Sequence, residues 1–186
     1  FQQADMIRPK RPEARRNADQ ILTALILYKF ADPVTNPKDW PVETIGNLLA
    51  PEIERVNPSK AFPDEEFTYI EIAHIDNTQF RIVDPKRLLG RNAPSRARQV
   101  VRTGDVLYSM TRPNLRNIAV VPEELDGAIA TTGFAILRPK KPHDTSFIFE
   151  MVKNSAFTNA MAHFAGAKSL YPAVDNFFLF LPWLIS

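Results

Sequence analysis

The sequence predicts an α+β fold: an N-terminal helix, then a mostly β region of short strands that ends in a C-terminal α-hairpin. Three observations lead there. Apolar residues recur at helical spacing only near the two ends of the chain. Between them lie short β-branched runs punctuated by Gly, Asp and Pro. The order, strands first and helices last, fits segregated α+β layers better than alternating α/β units.

Taken in order, the first helix is expected over residues 12–31. Pro12 suits a first turn, and Asp32-Pro33 stops the helix. Ala14, Ala18, Ile21, Leu25 and Tyr28 form a two-heptad seam along it, so a partner helix or a coiled coil is one expectation and packing on its own domain the other. Residues 33–63 hold six prolines and read as an irregular connector. Strands follow at 68–75, 80–83, 99–102, 106–110, 118–121, 128–131 and 134–137. A helix is expected over 145–165, started by Asp144 or Thr145, split at Asn154-Ser155 and ended by Gly166. An apolar strand at 177–181 precedes Pro182. The expected division is 1–32 for the helix and 33–186 for the domain.

The chain has 186 residues, no cysteine, six glycines, sixteen prolines and a formal net charge of +2. No thiolate zinc site, cysteine nucleophile or disulfide framework is open to it. No apolar run reaches the roughly 18–20 residues of a membrane span, and no signal peptide opens the chain, so a cytoplasmic protein without a membrane partner is expected. The chain opens on Phe1, which suits a fragment. The glycines are too dispersed for a phosphate loop, and no Gly-x-Ser-x-Gly is present. His74, His143 and His163 have no metal-ligand spacing. No cofactor, metal or catalytic residue is therefore expected. Two weaker patterns remain. Asp64, Asp84 and Lys86 loosely match a magnesium nuclease, although Pro85 interrupts the strand that would carry them. His74 and Asp76 could form an acid/base pair, but no nucleophile accompanies them.

Charge is unevenly spread. Residues 81–116 carry nine cations against two acids, a balance of +7, while the rest carries fourteen against nineteen, a balance of −5. Eight of the nine cations are arginine, whose planar fork suits phosphates and guanine edges. Within this stretch Met110-Thr111-Arg112-Pro113-Asn114-Leu115-Arg116-Asn117 should form a loop between two strands and display two arginines and two asparagines. Arginine pairs bidentately with guanine and asparagine with adenine. A solvated basic surface, or arginines bridging to acids within the fold, is the alternative.

The run 94–116, with Arg96-Ala97-Arg98, Thr103-Gly104-Asp105-Val106 and the Met110 to Arg116 segment, resembles the target-recognition domain of type I restriction-modification specificity subunits. So do residues 128–139, with Thr131-Thr132-Gly133-Phe134 and Leu137-Arg138-Pro139. Gly166-Ala167 with Tyr171-Pro172 and Val174 is similar to the same family, as is the 31–41 segment that leaves the first helix. The resemblance implies a non-catalytic subunit that reads half of a bipartite double-stranded DNA target. Its implied partners are an adenine methyltransferase (modification) subunit and, through the complex, a restriction subunit. The first helix would be the end of a spacer helix, and a homodimer through it is a further expectation. Only one recognition domain is present, and the ending Phe180-Leu181-Pro182-Trp183-Leu184 departs from the family's. Base-contacting residues cannot be transferred by motif, so the expected DNA contacts rest on chemistry: Arg91, Arg96, Arg98, Arg112, Asn114 and Arg116, with Lys168 and Tyr171 as a second group. The alternative is an assembly scaffold whose helix docks a partner and which reads no bases.

Overall fold

A computed structural model describes residues 42–141, 144–155, 157–159, 161 and 182–184. The expected helix with its Ala14, Ala18, Ile21, Leu25 and Tyr28 seam, the strand at 177–181, Gly166, Lys168 and Tyr171 lie outside the described residues. The chain divides into two compact units, Phe1–Glu43 with Pro182–Ser186, and Thr44–Leu181. The described part of the first is a short ladder between β1 (Val42–Thr44) and β11 (Pro182–Leu184).

The second unit is mostly β. After two one-turn helices, α1 (Ile45–Leu48) and α2 (Pro58–Ala61), come β2 (Glu66–Ile70), β3 (Ile75–Asp76), β4 (Arg81–Ile82), β5 (Lys86–Leu89), β6 (Ala97–Val100), β7 (Val106–Ser109), β8 (Ile118–Val120), β9 (Ile129–Thr131) and β10 (Phe134–Leu137). A four-stranded sheet has the order β5-β2-β9-β6, a three-stranded sheet the order β10-β7-β8, and β3 pairs with β4. β2 and β9 run parallel; the other neighbours are antiparallel. Ile70, Val101, Leu107, Ala119, Ala130 and Phe134 pack into one buried apolar cluster.

Helix α3 (Asp144–Lys153) then packs Ile148 and Val152 inward. Its backbone bends at Asn154, and helical structure resumes at Ser155 and 157–159. The break falls where the Asn-Ser pair places it. Phe157 meets buried Tyr108 of β7 edge to face at 5.5 Å. The expected mostly β, α+β architecture with short helices near its C-terminal end is the observed one.

Besides the helical turns α1 and α2 within the proline-rich connector and the strand β11 that starts at Pro182, two segments depart from expectation. The strand expected over 68–75 stops at Ile70, and Ile72–His74 forms a 3-10 turn. The His74 amide donates to Glu71 O at 2.9 Å, and the Glu71 amide donates to His74 Nδ1 at 3.1 Å. This local side-chain bonding competes with the ladder. Strand β5 is the second departure. Its Lys86-Arg87 start gives no apolar alternation because β5 is an edge, paired only with β2, where charge and a preceding proline are ordinary.

The turn after β5 depends on Gly90. A Cβ there would lie 2.1 Å from Phe62 O and 2.7 Å from Pro58 O, both backbone atoms. Gly90→Ala is expected to cost about 3 kcal/mol, read as a lower denaturant midpoint at unchanged slope.

Candidate nucleic-acid interface

The strand directions gather several loops at one end of this unit. β9 ends at Thr131 beside the start of β6, since Ala97 pairs with Thr131. β10 starts beside the end of β7, since Phe134 pairs with Ser109. The Thr132-Gly133 turn therefore stands between the approach to β6 and the β7–β8 loop. Two backbone bonds fix this: Thr132 N–H to Arg96 O at 2.9 Å, and Met110 N–H to Gly133 O at 3.0 Å. Buried Gln99 ties the same turn down by donating from Nε2 to Thr131 O at 2.9 Å and Phe134 O at 3.0 Å.

The β7–β8 loop is a hydrogen-bonded hairpin tip. Pro113–Leu115 forms a single 3-10 turn flanked by Arg112 (φ 50°) and Arg116 (φ 54°), both left-handed. Such a conformation in a non-glycine residue costs of order 1 kcal/mol or more and persists only where surroundings enforce it. Some of that enforcement comes from outside the loop. Asn77, in the β3–β4 turn, donates from Nδ2 to Leu115 O at 2.8 Å. Ser109 Oγ bonds Thr111 O at 2.9 Å. The outcome is a tip that exposes Arg112, Asn114 and Leu115, the last 44% exposed.

The basic stretch is less basic in space than along the chain. Arg81 faces Asp76 at 3.9 Å, Arg87 faces Glu66 at 3.5 Å, Arg91 faces Asp64 at 2.6 Å, Arg102 faces Glu54 at 2.8 Å, and Lys86 pairs with Glu71. Acids from the remainder of the chain thus neutralise five of the nine cations. Among the described residues, Arg96, Arg98, Arg112 and Arg116 have no carboxylate partner. Arg96 stands at the start of β6. Arg98 is the extra residue of a β-bulge, because Ala97 pairs with Thr131 while Gln99 pairs with Ala130. A bulge re-aims its side chain and is frequent beside functional sites. Arg98 Nη1 donates to Ala97 O at 2.7 Å.

The structure thus brings Arg96, Arg98, Arg112, Asn114 and Arg116 to one end of the domain. It places Arg91 elsewhere. The Gly90 and Arg91 amides bond Glu65 O and Pro63 O, at the start of β2, whereas the loop end lies where β2 finishes. Arg116 is also different in kind: it is half-buried, and its guanidinium donates to Lys153 O. Arg55 was hidden in the proline-rich connector. It is exposed, its backbone bridges Gln99, and it lines an open groove of about 470 Å³ with Gln99, Met110, Thr132 and Phe134. No sequence pattern marked Arg55, or Asn77 as a clamp.

The weaker chemical patterns are not assembled. Asp64 and Asp84 flank opposite ends of the β2–β5 ladder; Asp64 pairs with Arg91 and Lys86 with Glu71. His74 is buried, and burial pushes its imidazole below the usual range despite nearby Glu71. Asp76 Oδ1 accepts the Thr78 and Gln79 amides at 2.9 and 3.0 Å, closing its own turn. Among the described residues no three acidic or histidine side chains cluster as a metal site, and no helix is long and apolar enough to cross a membrane.

The fold is similar to solved structures of the type I restriction-modification class. The HsdS subunit from Thermoanaerobacter tengcongensis superposes with a TM-score of 0.68 at 37% identity, over 80% of this chain and 38% of that one. A chain from a structure describing complex assembly and conformational transition of the type I R-M system gives 0.69 at 38% identity, over 79% and 38%. In sequence, the specificity subunit of the type I restriction enzyme HindI from Haemophilus influenzae is 26% identical over 101 residues, 54% of this chain and 21% of that protein. No family model matches. The chain is a relative of the type I restriction enzyme specificity subunits, and its partial coverage of them fits a single domain.

Proposed function

We propose that this chain reads one half of a bipartite double-stranded DNA target within a type I restriction-modification enzyme. Residues 33–186 would be the recognition domain and residues 1–32 the end of a spacer helix. The chain carries no catalysis itself. It directs methylation and restriction, in the cytoplasm, by an adenine methyltransferase subunit and a restriction subunit.

One observation carries the reading: among the described residues, the cations of 81–116 left without a carboxylate converge on the loop end, beside a clamped tip that exposes Arg112 and Asn114. Arg96 and Arg98 suit phosphate, which positions a duplex; Arg112 and Asn114 suit base edges, which specify it. Lys168 and Tyr171 remain part of the proposed contact set.

Titration with duplex DNA at several salt concentrations tests this. Each phosphate that these cations neutralise should add about −0.9 to the slope of log K against log salt, so binding should weaken steeply as salt rises. A scaffold that docks its partner through an apolar helix predicts no such slope, and DNA binding absent at low salt rejects the proposal.

A further inference from the structure

Arg116 has the charge of a DNA contact but the surroundings of a strut. Its guanidinium carbon lies 5.0 Å from the centre of the Phe80 ring. Lys153 Nζ lies 5.6 Å from the same ring and 4.9 Å from that of Phe149, and the two rings meet edge to face at 6.2 Å. Arg116 Nη2 donates to the Lys153 carbonyl at the end of α3. Its Nε is buried and unpaired among the described residues. A group stacked, hydrogen-bonded and half-buried in this way has little reach toward a phosphate. Phe80 itself takes a left-handed backbone (φ 55°), as do Arg112 and Arg116. Three of the four non-glycine residues with positive φ among the described residues thus belong to one assembly. That assembly joins the β3–β4 turn, the β7–β8 loop and α3.

We infer that Arg116 is a positioning residue: with Phe80 and Asn77 it locks the Arg112–Leu115 tip in its reading conformation, and it does not itself contact DNA. The inference deepens the proposed DNA reading and rests on it for its binding consequences. Its structural half stands independently, because the lock exists in the free protein.

Phe80→Leu and Arg116→Lys test this, the second keeping the charge while losing the planar fork and the stack. Hydrogen exchange of the free full chain reads the lock. The Leu115 and Arg116 amides, bonded to Arg112 O and Pro113 O, should exchange about tenfold faster in both variants. Binding to a selected DNA site should weaken about tenfold in both, with the salt slope unchanged. Unchanged exchange in both variants overturns the inference. So does an Arg116→Ala variant whose salt slope falls by about one while Phe80→Leu binds normally, which is the signature of a phosphate contact. Faster exchange in a chain that binds no DNA upholds the lock and rejects the DNA-reading proposal instead.

Discussion

Replacing Asp105 by alanine is expected to destabilise the fold by about 3–5 kcal/mol, the usual cost of removing one partner of a buried ion pair. Asp105 is 1% exposed. Its two oxygens accept from Arg138 Nε and Nη2, both at 2.8 Å, and Oδ2 also accepts the Arg102 amide at 2.8 Å. The carboxylate holds the Arg138 guanidinium above its ordinary pKa. Alanine would leave that charge half-buried and uncompensated, and would free a backbone donor as well. A melting temperature lowered by on the order of 10 °C is the readout. A double variant, Asp105→Ala with Arg138→Met, should lose less than the two single variants added together. A fall below about 1 kcal/mol in the single variant would show that the pair contributes little.

The second large effect separates stability from function. Arg112→Gly should weaken binding to the cognate site by tenfold or more, the loss of one bidentate base contact. Stability should hold or rise slightly, because glycine adopts φ near 50° without steric cost. Binding to unrelated DNA should change far less, so the discrimination ratio narrows. Equal weakening on all sequences would mark Arg112 as a phosphate contact. Binding at full strength would remove it from the interface.

Much of the strand pattern was legible because β-branched runs in this chain are short and bounded by turn residues. Phe134–Leu137 and Val106–Ser109 pair along their whole length and are buried throughout, so propensity and burial agree. β5 was not legible, because an edge strand is free to be charged. The strand over 68–75 was misread because the Glu71–His74 bonding is a local three-dimensional event with no periodic trace. The two blocks that carry the family resemblance turn out to hold each other: Asp105 of one grips Arg138 of the other. Their pattern reports a structural pair as much as a reading surface.

The candidate site was legible only in outline. The +7 balance over 81–116 drew attention to the β7–β8 loop, yet five of those cations are matched by Asp64, Glu54, Glu66, Glu71 and Asp76 from earlier in the chain. Linear charge cannot foresee which acids the fold will bring alongside. Nor does it separate Arg112, which faces solvent, from Arg116, which faces Phe80. That difference comes from two left-handed residues bracketing a 3-10 turn, a conformation that arginine does not advertise.

Selection of duplexes from a random DNA pool tests the central claim most directly, with the wild-type chain and the Arg112→Gly and Asn114→Ala variants run in parallel. The wild type should enrich one short motif with strongly salt-dependent affinity. Each variant should lose or relax that motif at defined positions. Recovery of no motif by the wild type, or of the same motif undiminished by both variants, would contradict it.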